Sequence, residues 1–222
     1  MAAIAENLQV VRARIKRAQG VTARVTLLAV SKTQPLERIQ EAVAAGQRAF
    51  GENYVQEAVQ KMEGLPGLEW HLIGPLQSNK TRLAAERFDW VQTVASEKIA
   101  RRLSEQRPAA LADLNVLIQV NVSAEETKSG VALPEVAALA SAIAALPRLK
   151  LRGLMAIPEP GAERSRYASV KTIFDQLKGE FGFDTLSMGM SDDLDVAIAE
   201  GSTMVRVGTA IFGERKRQQS AA

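Results

Sequence analysis

The chain has 222 residues, 46% of them apolar and 24% charged, with a formal net charge of +3. This is enough for one buried core under an ordinary water-facing surface. With no cysteine and a single histidine, His71, disulfides, thiolate nucleophiles, zinc–thiolate centres and multi-histidine metal sites are excluded, and a histidine-based triad is disfavoured.

The first 20 residues place Ile4, Leu8, Val11 and Ile15 on one helical face, which predicts an amphipathic helix lying on the domain rather than a targeting segment. From there one unit recurs: a short apolar run ending in small or polar residues, then a helical stretch. The first run is Thr26–Lys32, followed by a helix opening near Pro35, where proline suits a first turn. The second and third are Arg48–Asn53 and Glu69–Gly74. The fourth, Trp90–Val94, leads to Ser96, a cap for the helix through Gln106. The fifth, Asn115–Val122, precedes a helix over Pro134–Ala145. The sixth, Leu149–Ile157, precedes one from Ser165 to Glu180. The seventh is Thr185–Met190, with Ser191 capping a helix from Asp192 to Glu200. The eighth is Met204–Phe212, followed by a basic remnant, Arg215–Arg217, read as a solvated tail.

Strands alternating with helices imply parallel pairing, and near-continuous apolar strands imply burial on both faces. Eight units in this length predict a single (β/α)8 TIM barrel, of class α/β, over residues 1–222, with the extra helix at its N-terminus. An open doubly wound sheet would call for a glycine-rich first turn, and this one reads Ser31-Lys-Thr-Gln-Pro35. No apolar stretch approaches the ~18 residues that span a bilayer, so a cytoplasmic protein with no membrane contact is expected. Scattered basic residues and 5% aromatics argue against a nucleic-acid partner.

In such a barrel, chemistry gathers at the C-terminal ends of the strands. Lys32 shares a strand face with Leu28 and Val30. If that face looks inward, desolvation lowers the amine's pKa and frees it to attack an aldehyde; position alone leaves open a lysine snorkelling into solvent. Arg206 lies within an apolar strand, where a charge needs a carboxylate partner or a ligand. After strand seven, Ser187-Met-Gly-Met-Ser191 leads into a helix, and after strand eight, Gly208-Thr209 offers close backbone approach and a hydroxyl. Loops seven and eight are the usual phosphate site of this fold. Asp192 and Asp193 would repel a phosphate and are expected to point away. A lysine, an arginine and a phosphate cradle suit a phosphorylated carbonyl compound: a sugar phosphate on a Schiff-base aldolase, or pyridoxal phosphate.

The segments Ala29-Val-Ser-Lys32, Phe50-Gly-Glu-Asn-Tyr54, Trp70–Lys80, Leu154-Met-Ala-Ile157, Leu186–Asp193 and Val205–Gly213 together resemble the pyridoxal phosphate homeostasis protein family, related to the barrel domain of alanine racemase. The resemblance spans the chain in order, with Leu72 in place of the family's Phe. It implies pyridoxal 5'-phosphate held as a Schiff base on Lys32, Arg206 facing the pyridine nitrogen, Ser191, Gly208 and Thr209 holding the phosphate, and Asn53 lining the pocket. Alanine racemases add a β-rich domain that supplies a catalytic tyrosine. Here the chain stops after strand eight, and neither Tyr54 nor Tyr167 is an obvious substitute. The resemblance therefore implies a monomeric carrier and regulator of vitamin B6 that serves pyridoxal-phosphate-dependent apoenzymes, with a small fold-type III racemase-like enzyme as the alternative. His71, inside strand three, reads as structural. Lys80 and Lys128 read as solvated charges or second contacts for the cofactor or a partner.

Overall fold

The computed structural model describes residues 2–19, 24–123 and 129–214. Helix α1 (Ala2–Gln19) comes first. Then follow β1 (Thr26–Val30), α2 (Leu36–Ala44), β2 (Ala49–Glu52), α3 (Val55–Gly64), β3 (Glu69–Leu72), α4 (Thr81–Arg87), β4 (Trp90–Val94), α5 (Glu97–Gln106) and β5 (Leu114–Val120). The chain continues through α6 (Val136–Ala144), β6 (Leu149–Ala156), α7 (Arg164–Phe181), β7 (Thr185–Ser187), α8 (Leu194–Ala199), β8 (Met204–Val207) and α9 (Thr209–Phe212). The eight strands form one closed parallel barrel in sequence order. Its seam joins β1 to β8, with Leu28 opposite Arg206 and Ala29 opposite Val207.

The alternation of strand side chains divides the core in two. Outward-facing Phe50, Trp70, Val91, Val116, Leu154 and Val205 pack under the helices. Inside the barrel, Leu28, Ile73 and Met204 meet Val30 and Ala49, and Trp90, Leu117 and Met155 form a second apolar group. The four apolar residues expected to seat α1 do so, with Ile4, Leu8, Val11 and Ile15 at most 5% exposed. Ser96 caps α5, accepting the Ile99 N–H at 3.4 Å.

Three expectations need correction. Strand β8 stops at Val207, and the apolar stretch Thr209–Phe212 turns into α9, where Ile211 and Phe212 bury themselves and the Ile211 carbonyl accepts from Asn7 of α1 at 2.9 Å. Strand β7 is only three residues long. Helix α8 begins at Leu194 rather than Asp192 and takes no cap bond from Ser191. Arg215–Arg217 lie outside the described residues. Among those described, no helix is long and apolar enough to cross a membrane.

Candidate functional site at the barrel mouth

A cavity of about 240 Å³ opens at the C-terminal ends of the strands, lined among others by Val30, Lys32, Asn53, Ser191, Arg206, Gly208 and Thr209. All six candidate residues thus meet in one place, although they come from the C-terminal ends of four different strands, β1, β2, β7 and β8. The volume lies a little under the ~300–1,000 Å³ usual for drug-sized ligands and suits a smaller one. A larger cleft, about 470 Å³, lies at the other end of the barrel beside α1. Its cations, Arg12, Lys16, Arg24 and Arg48, are all exposed side chains, and the strand ends that carry chemistry in this fold are remote from it.

Lys32 sits half-buried in the turn after β1. The inward face of β1 therefore continues into the cavity through Val30 and Lys32. The turn is tightly held from outside the barrel. Ser31 donates its N–H to the Gly51 carbonyl at 3.0 Å and its hydroxyl to Glu52 Oε1 at 2.6 Å. Lys61 of α3 donates to the Ser31 carbonyl (2.7 Å), Glu52 Oε1 (2.7 Å) and Glu57 Oε1 (2.6 Å). Thr33 adopts φ 62°, unusual for a β-branched residue, and gives its N–H to Glu57 at 2.5 Å. Burial pushes the Glu52 carboxyl above its usual range, with Lys61 pulling the other way. The second carboxyl oxygen of Glu52 is buried without a hydrogen bond. Sequence reasoning missed this cluster. The signal was there: a glutamate ending an apolar strand is as costly as the arginine that did draw notice.

Arg206 is 3% exposed. Its Nη1 donates to the Ser187 carbonyl (2.8 Å) and hydroxyl (2.7 Å), and its Nη2 to the Ala156 carbonyl (2.9 Å). These acceptors are neutral, so Arg206 is not held as half of a hydrogen-bonded ion pair. Desolvation lowers its pKa to about 10, a shift that Asp193 opposes, so the group remains a cation at neutral pH.

Loops seven and eight close one side of the mouth. Gly189 has φ 94°, and a Cβ there would come within 2.7 Å of the Ala197 Cβ, so only glycine lets this loop fold back over α8. The Ser191 hydroxyl accepts the Ala210 N–H at 3.3 Å. It ties the two loops together instead of capping a helix as expected. A Cβ on Gly208 would stand 3.2 Å from the Val30 carbonyl oxygen, so the missing side chain lets this segment pack closely against the end of β1 beside the cavity. Asp193 turns away as anticipated: it accepts the Tyr167 hydroxyl at 2.6 Å and the Met190 N–H at 2.5 Å. Asp192 does not. It is exposed and lines the cavity, because the late start of α8 leaves it in the loop rather than on a helical first turn.

Of the remaining candidates, Tyr54 is 60% exposed and Tyr167 is buried. The Tyr167 phenol is pushed well above its ordinary pKa by burial and by its bond to Asp193. Neither tyrosine lines the cavity, and neither does His71. Lys80 ends a short turn, Ser78–Lys80, and does not line the cavity. Lys128 lies outside the described residues.

The donor set fits a small phosphorylated aldehyde: an amine for the carbonyl, a buried cation, and two hydroxyls beside a close-packed glycine for an anion. Comparison with known proteins agrees. Residues 1–216 match the family model described as alanine racemase, N-terminal domain. The chain is 57% identical to the pyridoxal phosphate homeostasis protein of Escherichia coli (strain K12), over 96% of this chain and 97% of that one. The structure of PipY of Synechococcus elongatus PCC7942, with PLP bound, superposes with a TM-score of 0.82 at 38% identity, over 95% of this chain and 100% of that one. Alanine racemase from Corynebacterium glutamicum, 19% identical, shares the fold with a TM-score of 0.74 over 98% of this chain and 62% of its own.

Proposed function

The chain belongs to the alanine racemase N-terminal domain family, among the pyridoxal phosphate homeostasis proteins, and from that premise we propose that it binds pyridoxal 5'-phosphate at the barrel mouth, stores it and releases it to apoenzymes without turning over a substrate of its own. The observation that supports this most directly is the convergence of Lys32, Arg206 and Gly208 on one small cavity.

When bound, the cofactor supplies an aldehyde that condenses with a primary amine, and a phosphate that seeks hydrogen-bond donors. Lys32 offers the amine, half-buried at the end of β1, in a turn that Ser31 and Lys61 keep from shifting. Ser191 and Thr209 offer hydroxyls, and Gly208 lets the backbone come close. Arg206 is a cation in a dry setting, and a ring nitrogen set against it would not take a proton. An unprotonated pyridine withdraws electrons weakly, which suits holding the cofactor rather than using it. The described cavity residues include no tyrosine or histidine to serve as a second acid–base group across from Lys32. In our reading the protein works as a monomer in the cytoplasm, and its partners are pyridoxal-phosphate-dependent apoenzymes.

Borohydride reduction in the presence of pyridoxal phosphate, followed by peptide mass mapping, tests the binding. A pyridoxyl mass on the peptide containing Lys32, lost in Lys32→Ala, is expected. A protein that stays colourless with excess cofactor, or is labelled elsewhere, overturns the assignment. Stereospecific racemisation of an amino acid by the purified protein would overturn the carrier role while leaving the site intact.

A further inference from the structure

A continuous chain of buried polar groups runs through the barrel interior from Arg206 to the opposite end. Arg206 Nη1 donates to the Ser187 hydroxyl at 2.7 Å, and that hydroxyl donates to Gln92 Oε1 at 2.7 Å. Gln92 Nε2 lies 2.9 Å from His71 Nδ1, and His71 Nε2 lies 2.7 Å from Glu69 Oε1. Ser187, Gln92 and His71 are 0% exposed. Glu69, at the N-terminal end of β3, has a side chain 47% exposed. Four strands contribute, and only the barrel's closure brings them together.

The chemistry of the two ends fixes every bond between them. A guanidinium can only donate and a carboxylate can only accept. Ser187 must therefore accept from Arg206 and pass its single proton on to Gln92. The Gln92 amide nitrogen must then face His71, whose Nδ1 accepts, and the ring proton sits on Nε2 and points to Glu69. Reversing the Gln92 amide would require protons on both ring nitrogens. That means a charged imidazole in a fully buried site stacked on Trp90 at 5.0 Å, and burial disfavours that charge. The charged groups acting on this ring are Glu69 and Asp89, and Arg152 lies over its stacking partner Trp90 at 4.8 Å. Barrel interiors of this kind are ordinarily filled with branched aliphatic side chains. A fully satisfied polar chain in their place is rigid and directional.

We propose that Ser187, Gln92 and His71 are positioning residues for Arg206: their one-way chain, anchored on Glu69 at the floor, fixes which edge of the guanidinium is turned to the ligand in the mouth. The effect on a bound ligand rests on the cofactor reading above, whereas the direction of the chain does not. Ligand exchange at the mouth is thereby felt at His71, on the far side of Gln92.

The test uses the full chain labelled with nitrogen-15. With one histidine, its two ring nitrogens give unambiguous NMR signals. In the ligand-free protein the Nε2–H tautomer is expected. Gln92→Met, which keeps the length but donates nothing, should move the Nδ1 resonance, and adding pyridoxal phosphate to the wild type should shift both. In the loaded protein Gln92→Met is expected to displace the visible absorption band and weaken binding roughly three- to tenfold, as loss of one ordered hydrogen bond implies. Ser187→Ala, a smaller change, should do the same if Gln92→Met does not fold. A wild-type Nδ1–H tautomer overturns the proposal. So does a folded variant whose melting temperature falls while band position and affinity stay at wild-type values, since that marks a merely structural role. If the wild type itself shows no band and no Lys32 adduct, the cofactor reading fails, and the tautomer still decides the chain.

Discussion

Lys61 donates to the Ser31 carbonyl oxygen at 2.7 Å, so a lysine on α3 grips the backbone one residue ahead of Lys32. The same ammonium neutralises Glu52, a carboxylate 0% exposed. Removing one partner of a buried pair leaves the other charge without compensation.

Lys61→Met is therefore expected to lose about 3–5 kcal/mol of stability, read from urea unfolding. The loss should depend on pH in a definite sense. Burial already raises the Glu52 pKa above its ordinary 4.5, and without Lys61 it rises further. The folded variant then binds a proton that the unfolded chain releases as pH climbs past that ordinary value. The deficit should be small in acid and full at neutral pH. Pyridoxyl labelling of Lys32 should slow in the same variant. A deficit that does not vary with pH would remove Glu52 from the explanation.

Gly208 is an issue of space. Its φ is ordinary at −116°, so a side chain there imposes no backbone strain, but its Cβ would press on Val30. Gly208→Val is expected to weaken cofactor binding by about tenfold or more and also to lower the melting temperature, because the side chain takes volume from the mouth and presses on Val30 at the end of β1. Equilibrium titration followed by absorbance checks this, and unchanged affinity would place the phosphate elsewhere.

Tyr167 is buried and bonded to Asp193, which in turn holds the Met190 N–H. Tyr167→Phe should lose about 1.5–3 kcal/mol, the range for a hydrogen bond to a charged group, while Lys32 is still labelled. Loss of labelling in a well-folded Tyr167→Phe would give this phenol a chemical part that the geometry does not assign to it.

His71 gives a second pH window. Burial lowers its pKa below the ordinary 6.5, against the pull of Glu69. As pH falls through 6.5 the unfolded chain takes up a proton that the folded chain refuses, so stability declines on the acid side, by at most about 1.4 kcal/mol per pH unit. Urea midpoints measured across roughly pH 5 to 8 should show this slope in the wild type and not in His71→Gln. Glu69 is also held below its ordinary value, chiefly by its bond to His71, so its contribution is lost in the same direction but further into acid, as pH falls through its ordinary 4.5.

Much of this molecule is written locally. The apolar run Thr26–Val30, the cap at Ser96 and the face formed by Ile4, Leu8, Val11 and Ile15 each follow from residues near in sequence, and each stands where the pattern puts it. Thr209–Phe212 misleads because its β-branched and aromatic residues suit a strand, while burial of Ile211 and Phe212 makes a helical turn the better outcome. Ser191 looks like a cap because serine precedes a helix, yet its hydroxyl is taken by Ala210 on another loop. The chain from Arg206 to Glu69 lay out of reach altogether. His71, Gln92 and Ser187 are unremarkable where they stand, and only closure of the ring sets them side by side. The six cavity residues were legible because strand ends are a rule of the fold, whereas the cluster behind Lys32 depends on which face of α3 meets β1 and β2.

The seam between β1 and β8 has a consequence for how the protein comes into being. Lys32 follows the first strand and Arg206 lies on the last, and they become neighbours only when Leu28 pairs with Arg206. During synthesis Lys32 leaves the ribosome some 170 residues before Arg206. A growing chain therefore lacks the barrel mouth, and the proposed site can capture vitamin only once the final strand has been made and zipped into place.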